Sequence, residues 1–196
     1  MGIYFQRSHK HYFNLEESYA HCYRLLYVQY GSASAVSQFL SRLYDILERA
    51  LPKKNTMYVE GPPNSGKSWF FDMVTSYYLN IGHVKNFVRQ HSFPLNDCVS
   101  RRVLMWNEPS ISPSQFETFK MLAGGDPCPA AIKYEGDGKI TRTPLLLTAN
   151  HCAFDKSNPV WSSRMYFETW KSAPFLKELQ FYPHPLTWYK LVSINL

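Results

Sequence analysis

An α/β fold around a central, mostly parallel sheet is predicted by three features of the chain. The stretch VEGPPNSGKSWFF, residues 59–71, sets Gly61, then four residues, then Gly66, Lys67 and Ser68, between an apolar run and a helix-like run. Two further short apolar runs, VLMW at 103–106 and LLL at 145–147, read as buried strands followed by polar groups. Helix-like segments separate these strands, as crossover connections in a parallel sheet require.

The elements follow in order. Asn14 with Glu17 three residues on reads as a capping box, and Leu15, Tyr19, Cys22 and Leu26 continue at helical spacing. Gly31 and the small residues after it end that helix. Val36, Phe39, Leu40, Leu43, Ile46 and Leu47 carry a second helix that stops at Pro52. Residues 1–52 are therefore expected as a small helical domain, and 53–196 as the α/β domain. A strand over 56–60 leads into the glycine loop, a helix runs from the loop to about Ile81, and a short strand is expected near 84–88. The strand 103–106 ends in Asn107-Glu108. Ser112, Pro113 and Gln115 start another helix, which Gly124-Gly125 stops. Residues 130–142 read as a hairpin turning at Gly136-Asp137-Gly138, before the buried strand at 145–147. Residues 172–185 are proline-spotted, and no element is assigned to them.

Composition narrows the function classes. With 196 residues, 45% of them hydrophobic, the chain can bury one full core and a small satellite. No apolar run approaches membrane-spanning length, and none at the N-terminus has the length of a signal-peptide core. Met1-Gly2 lacks the Ser or Thr that myristoylation wants, since the sixth residue is Gln6. Cys22, Cys98, Cys128 and Cys152 are widely spaced, which argues for a reducing compartment and against structural zinc. The net charge of +6, from 21 Lys and Arg against 15 Asp and Glu, suits a polyanionic partner or a plain basic surface equally well.

The glycine loop carries the first chemical assignment. The loop Gly61, Pro62, Pro63, Asn64, Ser65, Gly66, Lys67, Ser68 and Trp69 would wrap the phosphates, its non-proline backbone N–H groups turning onto phosphate oxygens, and the following helix would aim its positive end at the same anion. Lys67 would reach the β- and γ-phosphates, and the Ser68 hydroxyl would ligate Mg²⁺. The bland alternative is a Gly/Pro turn before an amphipathic helix. Strand ends beside such a loop carry the reaction. Glu108 would orient or activate the attacking water, and Asn150 would hydrogen-bond that water or the γ-phosphate. Alone, both would read as strand caps.

Taken in order, GPPNSGKS, FPLNDC, VLMWNE, a hairpin, TPLLLTAN and SRMYFE resemble the superfamily 3 helicase domain of parvoviral large non-structural replication proteins, adeno-associated virus Rep and densovirus-like proteins among them. The resemblance covers roughly residues 55 to 170. It implies a modified AAA+ motor that forms a ring, a hexamer or similar, and hydrolyses ATP between subunits. Such a motor moves 3′-to-5′ on single-stranded DNA, unwinds duplex DNA with a single-stranded tail, and works in the host cell nucleus. By position, Glu108 becomes the second Walker B acid, Asn150 the polar sensor and Arg164 the arginine finger. The front helices become the oligomerisation domain. The first Walker B acid is replaced by Asn107, a poorer partner for Mg²⁺ or its water shell than a carboxylate, so metal binding would fall to Ser68, Asn107 and Glu108 together.

Lys133 and Lys139 flank the expected turn, and a projecting arm with lysines near its tip would grip the DNA backbone without reading bases. In the family this arm lines the channel. Glu135 and Asp137 dilute its charge, and a plain surface hairpin would carry similar residues. Two other readings stay open: a P-loop nucleotide or small-molecule kinase, and an ATP-binding assembly scaffold with poor turnover. His9-Lys10-His11 places two histidines as nicking endonucleases do, but the residues ahead of the motor are too few for that domain. The chain reads as the motor portion of a longer protein.

Overall fold

The computed structural model describes residues 11–87, 93–133, 136–152 and 154–196. His9, Lys10, Gln6 and Met1-Gly2 lie outside the described residues, as does Glu135.

Two helices open the described chain. In α1, Leu15–Tyr30, the Asn14 side chain accepts from Glu17 N while the Glu17 carboxylate accepts from Asn14 N, completing the capping box. Gly31 ends the helix at φ 77°, in the left-handed region that a residue without Cβ adopts at little cost. Ser32 then caps α2, Ala33–Leu47. Both helices bury their apolar face in the same hydrophobic cluster as strand β1, Thr56–Glu60, and helix α3, Lys67–Tyr78.

The remaining strands are β2, Ile81–His83, β3, Val103–Asn107, β6, Leu145–Ala149, and β7, Met165–Thr169, with the hairpin β4, Cys128–Ile132, and β5, Gly136–Ile140, between β3 and β6. The five-stranded sheet has order β2-β3-β6-β1-β7, and every pairing in it is parallel. Side chains alternate between its faces. Met57, Val59, Val103, Met105 and Leu146 pack under α1, α2, α3 and the C-terminal helix α6, Thr187–Asn195. Tyr58, Leu104, Trp106, Leu145 and Leu147 face the other way, toward α4, Phe116–Gly124, the hairpin base and Trp161 of the short α5, Pro159–Ser162. The strand β6 is buried at every position, consistent with its central place.

Three local expectations are corrected. The helix after the glycine loop stops at Tyr78 rather than near Ile81, because Leu79 takes φ 64° and Asn80 O turns to accept from Arg102 N. The short strand therefore forms at Ile81–His83 and not at 84–87, while residue 88 lies outside the described residues. The hairpin turns three residues earlier than its glycines suggest: Ile132 pairs with Gly136, and Gly138 lies inside β5 opposite Ala130. A Cβ at Gly138 would meet the Ile132 Cδ1 methyl, which would have to shift, and touch Val99. Beyond residue 172, where no element is read from the sequence, the chain is structured. A 3₁₀ turn, Pro174–Glu178, and α6 follow β7, and α6 packs against α1, α2 and α3.

Candidate nucleotide and DNA sites

The sheet order places the strand ends that matter next to one another. Because β6 lies between β1 and β3, Asn150 at its end sits between the glycine loop after β1 and Asn107-Glu108 after β3. A cleft of about 530 Å³ opens there, within the range of small-ligand pockets. Its walls are residues 63–69, Asn107, Glu108, Thr148, Asn150, Ala173, Leu176 and Lys177.

The loop itself is tightly built. Gly61 N donates to Ala149 O at 3.0 Å, and a Cβ at Gly61 would strike the backbone carbonyl of Trp170. Gly66 takes φ 89° at the start of α3 and lies against Leu25 and Leu176. Both glycines are thus required by close approach or by backbone conformation, not by flexibility. Lys67 opens α3, where the orphan N–H groups of the first turn face the cleft. Its Nζ donates to Gly61 O at 2.5 Å, Ser65 Oγ at 3.0 Å and Pro62 O at 3.2 Å. Burial pushes the Lys67 ammonium below the usual lysine range, and the nearby Glu108 carboxylate opposes that shift.

Across the cleft, Asn107 Oδ1 accepts from Thr148 Oγ at 2.6 Å. Glu108 adopts φ 48°, unusual for a residue with a Cβ, and its N–H donates to Thr148 O at 2.8 Å. That turn brings Glu108 Oε2 to the backbone N–H of Asn150, 3.2 Å away. Strain of this kind costs about 1–3 kcal/mol and persists where the surroundings enforce it. The donor set fits Mg²⁺, which takes one or two protein oxygens and leaves the rest to phosphate and water. Ser68 is exposed in the cleft, and Glu108 supplies one carboxylate beside an amide oxygen.

Arg164 is elsewhere. Its carbonyl accepts from Asn55 N and Thr56 N, at the start of β1 and so at the opposite end of the sheet from the loop that follows β1. Five residues of strand separate those ends by about 17 Å. Its guanidinium Nη1 donates to Val160 O at 2.8 Å, the side chain lies against Gly124, and the buried Nε has no partner among the described residues. The hairpin lysines are also outside the cleft. Lys133 is exposed at the turn, its N–H donating to Asn96 Oδ1 at 2.9 Å. Lys139 is exposed opposite Pro129, one pair from the base of the hairpin rather than near its tip.

Ala173, Leu176 and Lys177 are cleft residues to which no sequence pattern points. Nothing in a proline-spotted segment announces that it folds back over the loop. Thr148 is easier to find, since it precedes Ala149-Asn150 in a strand the apolar run already marks.

A sequence model described as parvovirus non-structural protein NS1 matches residues 20–154. The chain belongs to that family. Its sequence is 37% identical over 159 residues to the initiator protein NS1 of Bombyx mori densovirus, covering 81% of this chain and 18% of the relative. The NS1 of Junonia coenia densovirus is 34% identical over 183 residues, 93% of this chain and 34% of that protein. Protein Rep52 of adeno-associated virus 2 is 30% identical over 98 residues, half of this chain and 24% of Rep52. The chain thus spans about a third or less of the densovirus relatives' length. Among solved structures, JCV helicase superposes with a TM-score of 0.67 at 13% identity, over 90% of this chain and 54% of that one. The C-terminal region of NrS-1 follows with 0.59, covering 89% and 43%. At such identity the match concerns the fold, which this NS1-family chain shares with a viral helicase.

Proposed function

We propose that this chain is the ATP-driven helicase motor of a viral replication initiator, acting in the host cell nucleus. One observation carries the reading: the sheet gathers a phosphate loop, the Lys67 ammonium, the Glu108 carboxylate and Asn150 around one cleft. The membership in a family whose relatives are named initiator proteins supports the larger role.

In this reading the loop and the N-terminus of α3 bind the phosphates of ATP, and Lys67 exchanges its carbonyl partners for β- and γ-phosphate oxygens. Ser68, Asn107 and Glu108 would hold Mg²⁺, which would neutralise phosphate charge when bound. Glu108, held by Asn150 N–H, positions a water for attack on the γ-phosphorus and receives its proton. The Asn150 side chain binds that water or the phosphate. Arg164 lies too far from its own cleft to serve it, and in this reading it serves instead the cleft of a neighbouring subunit in a ring. A guanidinium there offsets charge that builds in the transition state and makes hydrolysis depend on assembly. Lys133 on the hairpin holds the backbone of single-stranded DNA and Lys139 supports the arm, so that the ring moves and opens a tailed duplex.

The test is ATP hydrolysis by Lys67→Ala. Turnover should fall at least about a hundredfold, with an unchanged melting curve. Parental turnover in that variant would remove the site assignment.

A further inference from the structure

Residues 171–178 form a strap across the phosphate loop, and it is built rigidly. Gln29 of α1 is buried, with its Nε2 donating to Lys171 O at 2.8 Å and to Ser65 O at 3.2 Å, while its Oε1 accepts from Lys171 N at 2.6 Å. One amide thereby ties the loop to the strap. Ala173 N donates to Asn64 O at 2.9 Å, Leu176 sits over Gly66, and the Arg24 guanidinium lies 4.4 Å from the Phe175 ring centroid. The 3₁₀ turn Pro174–Glu178 therefore has a fixed place beside the loop, and its Lys177 lines the same cleft as Lys67 and Glu108.

Among the described residues, those three are the charged ones of the cleft wall. Lys67 is engaged by three loop oxygens, whereas the exposed Lys177 ammonium makes no hydrogen bond or ion pair with the described residues. A nucleoside triphosphate with one Mg²⁺ still carries net negative charge, and a flexible ammonium at the rim can follow it. We propose that Lys177 is a second cation contacting the nucleotide within the same subunit, held in position by the Gln29 clamp. The proposal rests on the nucleotide-binding reading given above.

Equilibrium binding of a fluorescent, non-hydrolysable ATP analogue to the 196-residue chain tests it without turnover. Lys177→Ala should bind about tenfold more weakly, as removal of one charge-assisted hydrogen bond implies, and Lys177→Arg should recover most of the affinity. Gln29→Met should weaken binding, and combining it with Lys177→Ala should add little beyond the larger single effect. Affinity of Lys177→Ala within twofold of the parent would overturn the role of Lys177. Multiplied losses in the double variant would overturn Gln29 as its positioning residue. A folded parent that binds no analogue would overturn the nucleotide reading itself, and this proposal with it.

Discussion

The Glu108 carboxylate accepts a hydrogen bond from the backbone N–H of Asn150 at 3.2 Å, across the boundary between β3 and β6. Orientation of the acid thus depends on the main chain of the neighbouring strand, not on the Asn150 amide. Glu108→Gln keeps an acceptor for that N–H but removes the carboxylate proposed as the base. Nucleotide binding should stay within about threefold of the parent, while hydrolysis drops on the order of 10²–10⁴-fold. Single-turnover hydrolysis alongside analogue binding measures both, and a Gln variant that turns over normally would take the base role from Glu108.

Asn107 offers a gain-of-function experiment. Its Oδ1 accepts from Thr148 Oγ, a bond that an aspartate preserves, while the change adds a carboxylate beside Ser68. The Mg²⁺ concentration for half-maximal hydrolysis by Asn107→Asp should fall several-fold, since a carboxylate is the stronger ligand for a hard cation. An unchanged or higher requirement would show that residue 107 is not near the metal.

The remoteness of Arg164 predicts complementation. Arg164→Ala and Lys67→Ala should each be inactive alone, and mixtures should recover part of the parental rate, because some interfaces then pair an intact loop with an intact arginine. Steady-state ATPase across mixing ratios reads this out. No recovery at any ratio, with both variants still assembling, would contradict action between subunits.

Lys133→Ala should lower affinity for single-stranded DNA by a similar factor whatever the sequence. The slope of log K against log salt should shrink by up to about 0.7 for each phosphate that the lysine no longer neutralises. Basal hydrolysis should persist. Binding titrations over a range of salt concentrations suffice, and an unchanged slope with parental unwinding would make the hairpin a surface feature. Lys139→Ala, nearer the base, should act more weakly.

Much of this architecture is legible in the sequence where local chemistry and burial agree. Asn14 and Glu17 announce α1, the strand read at 56–60 and the apolar runs at 103–106 and 145–147 announce the parallel strands, and the glycine spacing announces the tight loop between β1 and α3. The missed features have tertiary causes. Gly138 looks like a turn residue but pairs with Ala130 inside β5, and β2 is a three-residue edge strand too short to show a period. The strap at 171–178 is held by Gln29, from a helix near the other end of the chain, so no local pattern reveals that Lys177 faces the cleft.

The central claim is that the cleft drives DNA-coupled ATP hydrolysis through contacts between subunits. It is tested most directly by ATPase rate per subunit, measured across protein concentration with and without single-stranded DNA. The rate should climb with concentration as rings form and rise further with DNA. A rate per subunit that is flat in concentration and indifferent to DNA would contradict the account.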